Sequence, residues 1–287
     1  MPSIDNITEI YMDLEATGLA RTSHILQLSV KRGAEEFSSY VIPGIEITQK
    51  ASEITGLTFQ NRSLFCNGEI VPAVNIKSCL DDFLAFVEKT KNNVIFGHNI
   101  LNYDCLLLFN ALEKCGMVNR FMSCVLGFVD TLKLFKRTHP GLSSYSQSKL
   151  CEYLINETYN AHNAIFDVSA LSKLVSETNV RDRAIIDAYF SVYHVHEKYE
   201  ISKETKRNLP SMKRLINCKA ISSRTANTIA ASGLAYCHLK LAFERNGRKG
   251  LEDLLGEQIV QNKVRVTRSK KIINNICDFF VKTVNSN

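Results

Sequence analysis

The sequence predicts an α/β layer fold on a mixed sheet, followed by a mostly helical, basic C-terminal extension. Three observations predict it. Residues 7–45 carry three runs rich in β-branched and aromatic residues, separated by turn signals. Residues 78–198 alternate helical stripes with short apolar runs. Beyond about residue 200 no strand pattern competes with the helical one. Strands first, then helices and strands in alternation, is what a sheet flanked by helices requires.

The early strands are expected at residues 7–14, 25–30 and 37–42. Ser78 reads as the N-cap of a helix with Leu80, Phe83, Leu84 and Val87 on one face. Residues 94–96 form a short apolar strand ending at Gly97, and 103–115 a helix stopped by Gly116. Residues 126–129 make a further strand, and helical patterns follow at 147–155, 164–177 and 181–198. In the extension, Pro210 and Gly233 punctuate helices such as 235–244 and 270–284, and 246–250 reads as a loop. The expected division is a domain at 1–199 and an extension at 200–287.

Composition narrows the function classes. The chain has 287 residues, 45% hydrophobic and 22% charged, which is ordinary soluble globular composition. Its longest apolar runs, such as 106–109, fall far short of the roughly 20 residues a membrane span needs. The first residues lack a basic segment followed by an apolar core. Nine cysteines are scattered without a C-x-x-C pair, so neither a zinc site nor a disulfide framework is expected. No membrane partner and an intracellular location follow, with nucleus and cytoplasm not distinguished. Charge is uneven: residues 200–287 hold 17 Lys/Arg against 7 Asp/Glu, a net of +10, while residues 1–199 hold a net of −4. The basic extension reads either as a nucleic-acid-facing track or as a packing extension.

The chemistry starts at Asp13-Leu14-Glu15-Ala16-Thr17-Gly18. Side chains alternate along a strand, so Asp13 and Glu15 project from one face. Two charges about 4 Å apart repel by about 4 kcal/mol at an effective dielectric near 20. A cation between them removes that cost. On the hexapeptide alone, a metal pair and a strand end with solvated acids are both open. Asp104 heads the helical stripe of Leu107, Leu108, Ala111 and Leu112, and Asp167 heads that of Ala170, Leu171 and Leu174. An acid on a core-facing stripe needs a partner or a metal, because burying it unpaired is costly. His162 precedes Asp167 by five residues, about 500° of helix, so the two cannot share a helical face. His162 is therefore expected on a loop with Asn163 as the helix cap, where a neutral imidazole near pH 7 suits a base for water.

Asp13, Glu15, Asp104, Asp167 and His162 resemble, in order and local context, the motifs of the DEDDh 3′→5′ exonucleases. Agreement is closest with the three-prime repair exonuclease (TREX) branch, whose first motif also reads D-x-E-A-T-G-L. Residues 51–57 (A-S-E-I-T-G-L), His98-Asn99, Tyr103-Asp104 and Asp130-Thr131-Leu132 match that branch too. The resemblance covers roughly residues 7–180. The chain departs from that branch in lacking a proline-rich insertion, with only Pro72 nearby, and in its basic C-terminal region. Residues 232–236 through 250–251 look more like the exonuclease-like domain of promyelocytic leukaemia (PML) proteins and their stand-alone fish relatives. Some of that group have lost catalytic residues; all five are present here.

The resemblance implies an RNase H-like, five-stranded mixed sheet flanked by helices, and two divalent ions, Mg²⁺ with Mn²⁺ able to substitute. Asp13 would bridge both ions, Glu15 and Asp167 would hold the one that activates water, and Asp104 would serve the leaving 3′ oxygen. Oxygen-only ligands suit these ions and argue against zinc. His162 would take the proton from water, releasing a nucleoside 5′-monophosphate. Thr17 and Gly18 would carry the grip on the 3′ end. Ala16, Leu19 and Ile54 would wall the terminal base, and His98 and Tyr103 would approach the last phosphates. The implied partner is a nucleic-acid 3′ end, single-stranded DNA favoured over RNA, with oligomeric state open and a homodimer included. The alternatives are an RNA-directed exonuclease or a catalytically silent nucleic-acid-binding or protein-interaction module on the same fold.

Overall fold

The computed structural model describes residues 6–178, 180, 182–260 and 263–284. It separates into two compact units, Met1–His196 and Glu197–Asn287.

The first unit is built on β1 (Thr8–Ala16), β2 (Ile25–Arg32) and β3 (Glu35–Val41). Helix α1 (Gln49–Thr55) then leads into a small antiparallel sheet of β4 (Leu57–Gln60), β5 (Ser63–Cys66) and β6 (Glu69–Val71). After β7 (Ala73–Val74) come α2 (Ile76–Glu88), β8 (Asn93–Gly97), α3 (Asp104–Lys114), α4 (Val118–Cys124) and β9 (Val125–Asp130). The unit continues through α5 (Thr131–Thr138), α6 (Gln147–Ile155), α7 (Ala164–Glu177), α8 (Asp182–Ala188) and β10 (Tyr189–Ser191) into the start of α9 (Val192–Asn208), whose residues from Glu197 on belong to the second unit.

The main sheet runs β10-β9-β8-β1-β2-β3-β7. β1, β8 and β9 are mutually parallel, while β1-β2 and β2-β3 are antiparallel, so the sheet is mixed as expected. Its five long strands are those anticipated. The count of five is corrected to seven by two edge strands: β7 pairs parallel to β3, and β10 antiparallel to β9. All five residues of β8 are buried, as a parallel strand covered on both faces must be. One face carries Val168, Leu171 and Leu174 of α7 with Leu134 and Phe135 of α5. Elsewhere Phe109 meets Phe121 edge-on at 5.6 Å between ring centroids, and both are fully buried.

Four local readings are corrected. The cap of α2 is Asn75, whose side chain accepts the Ser78 N–H at 2.9 Å. Residues 181–198 are not one helix, because Tyr189–Ser191 leave it to pair with β9; residue 181 itself lies outside the described residues. The β4–β6 sheet was not expected at all. Finally, the second unit holds a short hairpin of β11 (Gln258–Val260) and β12 (Lys263–Val264), where only helices were anticipated.

That unit otherwise consists of α10 (Lys213–Asn217), α11 (Ser223–Ala231), α12 (Tyr236–Gly256) and α13 (Lys270–Val284) around its own core, including Met212, Ile229, Leu239, Leu251 and Ile276. The expected loop at 246–250 is a kink inside α12, with non-helical backbone at Asn246 and Gly247 only. All nine cysteines are free. Among the described residues, no helix is long and apolar enough to cross a membrane.

Candidate active site

Strand β1 places Asp13 and Glu15 on one face and buries Leu14 on the other. On the neighbouring strand, Ser29 lies opposite Asp13 and Gln27 opposite Glu15. Helix α7 packs on β1 and β2 and brings Asp167, in its first turn, to the same place. One carboxylate oxygen from each of Asp13, Glu15 and Asp167 lies within 4.8 Å of the others.

Asp104, the first residue of α3, is buried to 8% exposure but stands outside this close group. It still acts on the group through its charge. Burial pushes the Asp13 carboxyl well above the usual carboxylate range, and Asp104, Asp167 and Glu15 push it further in that order. Glu15 is pushed up to about 8 by burial, then by Asp167 and Asp104. Asp104 rises to about 7, chiefly through burial, with backbone hydrogen bonds opposing and Asp130 adding. Burial also raises Asp167, against the Tyr159 hydroxyl and His162. Four oxygen-donor side chains that burial holds back from ionising form a donor set that fits hard divalent cations.

His162 lies on the loop before α7, as expected, exposed and in the left-handed region at φ 70°. That conformation is uncommon outside glycine. Its backbone N–H donates to Asp167 Oδ2 at 2.9 Å. Asn163 is the cap, accepting the Ile165 N–H. Gln27 anchors this turn from the sheet: its Nε2 donates to Asn163 Oδ1 at 3.0 Å, and its Oε1 accepts the Ala164 N–H at 3.2 Å. The Tyr159 hydroxyl donates to Asp167 Oδ1 at 2.8 Å. Gln147 Nε2 donates both to that hydroxyl and to the Asp167 carbonyl.

Gln27, Tyr159 and Gln147 went unread in the sequence. For Gln27 a signal existed, since Gln27 and Ser29 alternate within an apolar strand on the face that carries the acids. Tyr159 lies outside any periodic pattern, and Gln147 opens the helical pattern of residues 147–155 with nothing to mark its side chain as a partner of the site.

The rim divides into exposed and committed residues. Leu19 is 81% exposed, the most of the large apolar side chains among the described residues, and Ile54 is 45% exposed. Ala16 is buried. Thr17 is fully used inside the fold: its N–H reaches the His24 carbonyl, its hydroxyl accepts the His24 N–H, and its carbonyl accepts the Thr48 N–H. A Cβ at Gly18 would come within 2.9 Å of Thr48 Cγ2, so glycine lets α1 and its cap close on this turn. Tyr103 donates its hydroxyl to the Gly18 carbonyl. His98 is also committed, with Nε2 donating to the Tyr145 carbonyl at 2.8 Å and Nδ1 paired with Thr131 Oγ1 at 3.1 Å. Burial holds it down to about 4, so it is neutral and has no ring nitrogen left for a phosphate.

Residues 10–175 match the family model described as Exonuclease, and residues 208–283 match that of the PML C-terminal domain. The chain is 28% identical over 205 residues to DNA polymerase III subunit epsilon of Aquifex aeolicus, covering 69% of this chain and 90% of that protein. It is 23% identical over 167 residues to the Maternal protein exuperantia of Drosophila virilis, covering 54% of this chain and 34% of that one. E. coli Exonuclease I in complex with a dT13 oligonucleotide shares the fold, with a TM-score of 0.51 at 18% identity over 63% of this chain and 43% of that one. The chain thus spans most of the epsilon subunit and less than half of Exonuclease I. With more than half of its length matched by the family and the acids of that family gathered at one site, the chain belongs to the exonuclease family, in the DEDD-type 3′→5′ group.

Proposed function

We propose that the protein is a divalent-cation-dependent 3′→5′ exonuclease that removes nucleoside 5′-monophosphates, with single-stranded DNA as the favoured substrate. The observation that carries this reading is the convergence of Asp13, Glu15 and Asp167 beside an exposed histidine tied to Asp167 by its own N–H. These three carboxylates, with Asp104 as the fourth, would hold Mg²⁺ or Mn²⁺. Bound there, a cation pair would stabilise the charge that develops on phosphate and make water more acidic.

The chain's own groups do the rest. His162 is free on the solvent side to accept the proton of the attacking water, a contribution of about 10²–10⁴ in rate. Leu19 and Ile54 offer exposed apolar surface for the terminal base, which every base can use, so little sequence preference is expected. Tyr103 reaches this rim through the Gly18 carbonyl and would orient it rather than meet phosphate while that bond is kept. The dT13 oligonucleotide held by Exonuclease I supports a single-stranded substrate here.

The test is digestion of 3′-labelled single-stranded DNA, double-stranded DNA and RNA with Mg²⁺. Release of labelled mononucleotide from the single-stranded DNA first, lost with EDTA and in Asp13→Asn, is the expected result. Equal degradation by wild type and Asp13→Asn would refute the assignment. Faster loss of RNA would move the substrate, leaving the chemistry intact.

A further inference from the structure

Resting on the reading that Asp167 is a cation ligand and His162 the base, we propose that Tyr159 is a positioning residue that locks the two into one unit. Both oxygens of Asp167 are held by a single stretch of loop. The Tyr159 hydroxyl donates to Oδ1 at 2.8 Å, and the His162 N–H donates to Oδ2 at 2.9 Å. The Asn163 backbone N–H bears on the same carboxylate, and three donors against its four lone pairs leave one open for a cation. The carboxylate is thereby fixed in plane without being used up.

Gln147, the first residue of α6, completes the arrangement. Its Nε2 donates to the Tyr159 hydroxyl at 2.9 Å and to the Asp167 backbone carbonyl at 2.8 Å. The phenol therefore receives a hydrogen bond from α6 and passes its own proton toward α7. Tyr159 and Gln147 are both half-buried, which shields these bonds from competing water. Removing the hydroxyl loosens Asp167 and removes the one side-chain tie between the His162 loop and its carboxylate, leaving the backbone N–H groups of His162 and Asn163. Partners that orient ligating carboxylates typically matter by about 10–100-fold in metal affinity or activity.

The test uses the full chain and Tyr159→Phe, which keeps the ring. Mn²⁺ affinity is measured by calorimetric titration without substrate, and single-turnover hydrolysis of 3′-labelled single-stranded DNA is measured at saturating Mn²⁺. We expect Mn²⁺ binding weakened by about tenfold, a further loss of about tenfold in the single-turnover rate, and an unchanged KM for the oligonucleotide. A lowered melting temperature with Mn²⁺ affinity within twofold of wild type would overturn the proposal, because a merely structural tyrosine behaves that way. Should Tyr159→Phe not fold, Gln147→Met removes the donor behind the phenol. A loss of about threefold in Mn²⁺ affinity then supports the proposal, and an unchanged affinity overturns it. If the wild type binds Mn²⁺ but degrades no nucleic acid, the exonuclease reading fails and the Mn²⁺ comparison still decides the role of Tyr159. A wild type that binds no Mn²⁺ overturns both.

Discussion

At the scale of single residues, the proposed mechanism separates groups that bind a cation from a group that moves a proton. Asp13 is pressed on by three other carboxylates, whereas His162 is exposed, hydrogen-bonds Asp167 through its backbone N–H and bears on that carboxylate through the charge of its ring. His162→Ala should therefore lose about 10²–10⁴ in rate while retaining the rise in melting temperature that Mg²⁺ induces. Asp13→Asn should lose both. Parallel melting curves and digestion assays check this, and a His162→Ala protein that no longer responds to Mg²⁺ would assign the ring to ligation instead. The acids were legible in the sequence because a carboxylate in an apolar strand, or at the head of an inward stripe, is costly wherever it stands. His98 was not legible in the same way. Its ring is consumed by Thr131 and Tyr145, partners 33 and 47 residues away, and no local pattern announces that. Tyr159 was missed for the converse reason: its significance lies wholly in a bond to a residue eight positions on, across a loop.

At the scale of elements, the site depends on how the start of α7 is seated on β2. Gln27 is 1% exposed and spends both ends of its amide there, on Asn163 Oδ1 and on the Ala164 N–H. Gln27→Leu keeps the volume and leaves those groups without their partner. A buried donor or acceptor so orphaned costs about 1–3 kcal/mol. The variant should unfold earlier in urea by that amount, and the Mg²⁺-induced rise in melting temperature should shrink because Asp167 rides on the same turn. A full-sized Mg²⁺ response would mean that α7 is seated by its apolar stripe alone. The elements themselves were legible where periodicity was long: α7 was anticipated over its whole length. Short edge strands were not. Tyr189–Ser191 sit inside a run that continues helical on both sides, and the break comes from pairing. Gly127 on β9 lets the Phe190 carbonyl approach so closely that a Cβ there would lie 2.3 Å from it. The β4–β6 sheet likewise consists of strands of three or four residues, too short for alternation to register.

At the scale of the whole molecule, stability and function are coupled through charge. The +10 of residues 200–287 was readable by counting and is what remains once the acids of that region are counted, among them those that Lys240, Arg248 and Lys249 each face four residues on along α12. Among the described residues, no lysine or arginine forms an ion pair with Asp13, Glu15, Asp104 or Asp167. Glu15 titrates at about 8 and Asp104 at about 7 in the folded protein, against ordinary values near 4 in an unfolded chain. Groups with raised folded values keep their protons in the native state after the unfolded chain has lost them. Their contribution is full below the unfolded values and is lost as pH rises through about 7 and about 8. The metal-free protein should therefore melt progressively lower as pH rises from about 5 toward about 8.5. A divalent cation binds only the deprotonated carboxylates, so its stabilising effect runs the other way and grows across the same interval. Melting temperatures in EDTA and in about 5 mM Mg²⁺ should converge at the acid end and separate at the alkaline end. Glu15→Gln removes the highest of the two values and should flatten the EDTA curve above about pH 7 while reducing the separation. A Mg²⁺ effect of equal size at both ends of the range would mean that the cation binds outside the Asp13, Glu15 and Asp167 cluster, and the site would have to be sought elsewhere.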